Sequence, residues 1–186
     1  MEKEFNIFGN TELHDRAIRE LYTGNDIDKV LQDKPFSKYI FYDVLTPQNE
    51  LVPIGLIVSC SGKKEDMLRM MEDDIVARLF NSGYAEEFGT SRIYDTVNEL
   101  GYKISDRFSN VGKTVFIKDI SMKEDCTNAS ERISGGIREC INESGSSTAI
   151  CITGVDNDVM DLIEDRRINV ELIDELGDLR VWGIEE

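Results

Sequence analysis

Hydrophobic and polar positions alternate along the chain in blocks that switch between a two-residue and a three-to-four-residue period. Phe5 to Phe8 alternates as a short strand. Thr11 can cap a helix whose stripe is Leu13, Ala17, Ile18, Leu21 and Tyr22, broken by Gly24 and Asn25. Asp26 can cap a second short helix that stops before Pro35. Tyr39 to Leu45 and Leu51 to Cys60 are rich in β-formers and flank a Thr-Pro-Gln-Asn-Glu turn, which predicts an antiparallel hairpin. Pro53 and Gly55 place a bulge or an edge near the start of its second strand. From Ser61 to Asn110 the period is helical. Leu68, Met71, Ile75 and Leu79 share one face of a helix over Lys64–Ser82. A second helix runs from Ser91 to Leu100 and ends at Gly101, with Tyr102–Phe108 as a further strand. Thr114–Met122 is a central strand, followed by a polar loop and a helix reaching about Asn142. Thr148–Thr153 is apolar without alternation, as in a strand covered on both faces. A helix over Val155–Asp165 and a closing hairpin, Ile168–Ile173 and Leu179–Ile184 around Gly177-Asp178, complete the pattern.

The order is β-α-α-β-β, an insertion at about 61–110, then β-α-β-α-β-β. It predicts an α/β (α+β) fold with a central mixed sheet, organised as a single domain over 1–186. The chain has 186 residues, of which 40 % are hydrophobic, which excludes disorder. No run of about 18 apolar residues is present, so no membrane span is expected. The start, Met-Glu-Lys-Glu-Phe, lacks a signal-peptide hydrophobic region, and the expected location is cytoplasmic. Cys60, Cys126, Cys140 and Cys151 form no Cys-x-x-Cys pair, and His14 is the single histidine. Core thiols in a reducing compartment are expected, without a metal site. Gly112-Lys113-Thr114 ends like a P-loop, but Arg107 stands where the first glycine belongs and the triplet enters a strand. Asp156, Asp158 and Asp161 suit the start of a helix better than a metal. Trp182 is expected in the core.

Without the insertion, this order resembles the GNAT family of N-acetyltransferases. In that family a strand end presents backbone groups to the pantetheine arm of acetyl-CoA. A loop with Arg or Gln, three residues on a Gly, and two further on a Gly or Ala then opens a helix that binds the pyrophosphate. Glycines let backbone N–H groups approach phosphate at the positive end of the helix. Asp119-Ile120-Ser121-Met122 fits the strand end, and Arg132-Ile133-Ser134-Gly135-Gly136-Ile137 offers the Arg and the first Gly, with Ile137 at the last position. Two registers stand open. The motif starts the helix late and leaves it short; a start near Asn128 gives a normal length but a loop without glycine. Gly135-Gly136 then serves close packing or a kink. After the next strand the family often has an Asn, an Ala three on, and a Tyr seven on that protonates the departing thiolate. Asn157 matches the first, Met160 replaces Ala, and Glu164 replaces Tyr. An ionised glutamate there repels a thiolate. The resemblance therefore implies Met122, Arg132, Gly135 and Asn157 as the cofactor-binding positions.

Charge changes the functional expectation. The chain carries 37 acids against 21 Lys and Arg, a net −16, which excludes direct binding to nucleic acid. Val155–Glu186 holds eleven acids and three arginines, a net −8, and Ser61–Gly89 holds a second concentration. Such density can occupy the phosphate positions of a basic groove. The expected function is a non-catalytic, acidic GNAT-like protein without cofactor. It would bind and inhibit a basic nucleic-acid-binding partner, as anti-CRISPR and anti-restriction proteins do, through Asp73, Asp74, Glu86, Glu87, Asp174 and Glu175. The alternative is an active N-acetyltransferase using acetyl-CoA on an amine.

Overall fold

A computed structural model of the chain describes residues 3–5, 19, 21, 36–45, 50–123, 126–156, 158–164 and 166–186. The helices expected after Thr11 and Asp26 lie outside these residues, apart from Arg19 and Leu21, which are helical. The elements are β1 (Lys3–Phe5), β2 (Ser37–Leu45), β3 (Glu50–Lys63), α1 (Lys64–Asn81), α2 (Tyr84–Phe88), α3 (Thr90–Arg107), β4 (Lys113–Met122), α4 (Ala129–Glu143), β5 (Thr148–Gly154), a 3-10 turn (Val159–Leu162), β6 (Asn169–Leu176) and β7 (Leu179–Glu185). The strands form one sheet in the order β1-β2-β3-β4-β5-β7-β6. Only β4 and β5 run parallel, joined by the crossover helix α4; the other neighbours are antiparallel.

Alternation along the strands splits the core into two layers. Ile40, Leu56, Val58, Phe116, Ile150, Ile152 and Val181 face α1 and α3. Phe41, Ile57, Val115, Ile117, Cys151, Trp182 and Ile184 face α4. The inserted helices therefore cover one face of the sheet and α4 the other. The insertion closes on itself: Lys63 pairs with Lys113 at the ends of β3 and β4, the Lys64 N–H donates to Gly112 O (3.0 Å), and Lys64 Nζ donates to Phe108 O (3.1 Å). A helical excursion between two paired strand ends leaves the sheet intact.

Two elements differ from the sequence pattern, and the bulge expected near Pro53 and Gly55 is present. Tyr102–Phe108 is no strand: α3 continues to Arg107 because Ile93, Val97, Leu100 and Ile104 keep one buried stripe. Gly101 does not end that helix; it is buried against the Glu72 side chain of α1. The helix over Val155–Asp165 is replaced by the single 3-10 turn. Asp158 caps it, accepting from the Met160 N–H at 2.9 Å. In β3 the bulge falls at Ile54, between Pro53, opposite Tyr42, and Gly55, opposite Phe41.

Candidate functional site

The site is built where β4 and β5 part. Their parallel ladder spans Val115–Ile117 against Ala149–Cys151 and stops there. Beyond it β4 pairs with β3 alone as far as Met122, and β5 pairs with β7 alone as far as Gly154. The cause lies in β4. Val58 stands opposite Asp119 and Ser59 opposite Ile117, so Lys118 is an extra residue, a bulge. A bulge bends its strand and sharpens the twist, and this one turns β4 away from β5 to open a wedge.

The inserted helix α1 holds the bulge open from one side. Arg78 Nη2 donates to the Lys118 carbonyl at 2.7 Å, satisfying a group the strand displaces. Arg78 Nε also pairs with Asp74 at 2.9 Å, and Lys118 Nζ stands 3.9 Å from the same carboxylate. Beside them Asp119 accepts from Ser121 Oγ at 3.2 Å. Burial lifts the Asp119 carboxyl above its ordinary range, helped by Asp74 and opposed by Arg78 and Ser121. A proton acceptor thus sits among fixed charges on the α1 side of the bulge.

On the α4 side the wedge is filled by the β5–β6 connection. Met160 is 3 % exposed and packs in one cluster with Ile117, Ile120, Ile133 and Cys151. The turn that carries Met160 is locked by Asp158, whose carboxylate accepts from Thr153 Oγ1 at 2.5 Å and from Trp182 Nε1 at 3.1 Å. Arg180 approaches the same oxygen at 3.6 Å and pairs with Asp161 and Glu175 at 2.9 Å each.

Beyond the wedge lies a cleft of about 540 Å³, lined by Asn128, Ala129, Ser130, Glu131, Glu164, Arg166 and Arg167. Its floor is the first turn of α4. Asn128 adopts a left-handed conformation (φ 55°) there and makes no side-chain cap. A helix start presents N–H groups without intrahelical partners, together with the positive end of the dipole. Two arginines face this end across the cleft. Ser130 Oγ accepts from the Glu164 N–H at 2.8 Å and fixes the wall that leads to them. This donor set suits a phosphate-bearing ligand, although the Glu131 and Glu164 carboxylates oppose it.

The sequence-derived cofactor residues are only partly gathered here. Met122 ends β4 at the wedge. Arg132 lies a turn inside α4, 2 % exposed, and does not line the cleft. Gly135 also lies within the helix, so the Arg132–Ile137 motif is helical and the helix starts in the register near Asn128. Gly136 packs against Phe41 and Ile57. Asn157 lies outside the described residues. The signal for the arginines was available: Arg166-Arg167 is a basic pair among eleven acids. No strand pattern reveals the Lys118 bulge. Among the described residues, no three His, Cys, Asp or Glu side chains converge on a metal position.

The acidic residues divide. Asp174 is bound by Lys103 at 2.8 Å, Glu175 by Arg180, and Asp74 by Arg78, so these three are largely neutralised within the molecule. Asp73, Glu86 and Glu87 are exposed on the inserted helices. Among the described residues, no helix is long and apolar enough to cross a membrane.

No protein-family profile matches the chain, and no curated protein matches its sequence. Solved structures do. An apo mutant agmatine N-acetyltransferase aligns with TM-score 0.55 at 12 % identity, over 100 % of this chain and 97 % of its own. A mosquito arylalkylamine N-acetyltransferase-like protein gives 0.54 at 10 %, over 100 % and 98 %. The Drosophila melanogaster polyamine N-acetyltransferase, which catalyses formation of N-acetylagmatine, gives 0.52 at 12 %, over 100 % and 97 %. The chain has the GNAT acetyltransferase fold. The expectation of no cofactor is corrected by this comparison: the neighbours whose fold the chain shares are N-acetyltransferases.

Proposed function

We propose that the chain is an acetyl-CoA-dependent N-acetyltransferase acting on an amine. The observation that carries this is the parting of β4 from β5 at the Lys118 bulge, with Asp119 next to the bulge in the chain. Acetyl-CoA would supply the acyl group and a thiol leaving group. The first turn of α4, Arg166 and Arg167 would hold its phosphates, and the freed inner edges of β4 and β5 would hold its pantetheine arm. Asp119 would take a proton from the substrate ammonium and so free the amine that attacks, a task suited to a carboxylate whose affinity for protons burial has raised. Arg78 is a positioning residue: it fixes the bulge on which Asp119 is carried. Admission of the arm requires Met160 to leave the wedge, and Asp158 and Trp182 transmit that movement.

The test is acetyl transfer to a panel of di- and polyamines, with the Asp119→Asn variant beside the wild type. Turnover should fall by about 100-fold or more, the scale of a lost general base, with cofactor affinity kept. Unchanged turnover in Asp119→Asn removes Asp119 from the chemistry. A second reading, contact with a basic protein partner, is favoured by the exposure of Asp73, Glu86 and Glu87. It predicts salt-sensitive capture that is lost on charge reversal at these three positions.

A further inference from the structure

We propose that Cys60, Met67 and Met70 form a binding site for a soft monovalent metal ion, copper(I), for which silver(I) is the redox-stable probe. Cys60 lies near the end of β3, and the two methionines lie on the first turns of α1. Cys60 Sγ stands 3.5 Å from Met67 Sδ and 3.7 Å from Met70 Sδ. Met67 and Met70, three residues apart on a helix, are neighbours on its surface. One thiol and two thioethers therefore converge at the β3–α1 junction, on the face covered by the insertion.

Thiolate and thioether donors select copper(I) over the harder divalent ions. Three sulfurs bound to one metal at about 2.3 Å each, in a plane, stand about 4 Å apart. The observed spacings need to widen by a few tenths of an ångström, which unbranched methionine side chains accommodate. Gly62 leaves the space: a Cβ there would stand 3.2 Å from the Met67 methyl. Burial also favours this charge type. Cys60 is 6 % and Met67 5 % exposed, and a buried net charge is costly. A thiolate with a monovalent cation is neutral, whereas with a divalent one it retains a positive charge. Met70 is partly buried and gives the ion a route from solvent. The step balances simply. The Cys60 S–H bond breaks, its proton goes to solvent, and the sulfur electron pair binds the metal, with no change of oxidation state.

The test is anaerobic titration of the whole chain with silver(I), followed by calorimetry in two buffers of different ionisation enthalpy. One tight equivalent should bind with release of one proton. Copper(I) loaded into the same protein should show three sulfur neighbours by X-ray absorption. Cys60→Ser should abolish the tight equivalent. Met70→Leu conserves volume at a partly buried position and should weaken binding by at least about tenfold, since even outer-shell partners of metal ligands cost about 10–100-fold. Cys126→Ser, at a thiol elsewhere on the molecule, should change nothing. A tight equivalent that survives Cys60→Ser, ignores Met70→Leu or disappears with Cys126→Ser overturns the site, as does a copper centre with fewer than three sulfur neighbours.

Discussion

Replacing Gly136 by alanine adds one methyl group to the buried face of α4, and two effects then oppose each other. Alanine favours a helix interior over glycine by about 1 kcal/mol. The new Cβ, however, would run into the edge of the Phe41 ring, inside van der Waals contact, and would stand 2.9 Å from Ile57 Cδ1. Phe41 is 0 % exposed, and its ring is also gripped from β3, where a Cβ on Gly55 would strike it as well. A ring held between two glycines cannot yield, so the overpacking cost belongs at the upper end of the usual range, about 3 kcal/mol. The net expectation is a loss of about 2 kcal/mol. In urea, with a slope of about 2 kcal/mol/M, the midpoint should fall by about 1 M with the slope unchanged. Phe41→Leu in the same chain should recover part of the loss. A Gly136→Ala variant as stable as the wild type, or more stable, would refute the packing role.

Asp119→Asn should stabilise the protein at neutral pH while it removes turnover. Because the folded-state pKa is raised, the native state holds the proton more tightly than the unfolded chain. The Asp119 contribution to stability is therefore greatest below about pH 4 and is lost as pH rises through the folded pKa. The Tm advantage of the Asn variant should grow over that window; an advantage that shrinks would show the carboxylate to be stabilised instead. Asp158→Ala should cost about 3–5 kcal/mol, because it strips a fully buried carboxylate from Thr153, Trp182 and Arg180. Trp182 is the single tryptophan, so its emission should shift; an unchanged spectrum and a loss below about 1 kcal/mol would contradict the lock. Among Cys126, Cys140 and Cys151, Cys126 should react first with a thiol reagent at mildly alkaline pH. Burial pushes Cys140 up to about 12 and Cys151 well above its usual value. Rapid labelling of Cys140 in the folded protein would count against this.

Much of the fold was legible because it rests on patterns of one period each. The β2–β3 hairpin, the α1 stripe and the parallel strand β5 all followed from hydrophobic spacing. The failures have physical causes. Gly101 marks a helix end by propensity, yet α3 runs through it because Ile104 continues the buried stripe of Ile93, Val97 and Leu100. Val155–Asp165 has helical spacing at Val155, Val159, Leu162 and Ile163. The Asp158 side chain instead binds Thr153 and Trp182 of the sheet, and tertiary contacts limit the segment to one turn. The site was less legible than the fold. The bulge at Lys118 leaves no mark on the alternation of β4, and Arg78 reaches it from 40 residues away. The acidic tail suggested a docking face, but ion pairing with Lys103, Arg107 and Arg180 engages Asp174, Glu171 and Glu175 across α3, β6 and β7. Such exposed pairs are each worth about 1 kcal/mol or less. Their larger consequence is that they reduce the field the strand presents to a partner.

Calorimetric titration of the whole chain with acetyl-CoA, read in parallel through Trp182 emission, tests the central claim most directly. The account predicts micromolar binding with a change in Trp182 emission. It also predicts affinity at least about tenfold weaker when Arg166 and Arg167 are both replaced by glutamate, the scale of one lost charge-assisted hydrogen bond. Absence of binding at millimolar acetyl-CoA would contradict it, as would binding that is indifferent to both arginines.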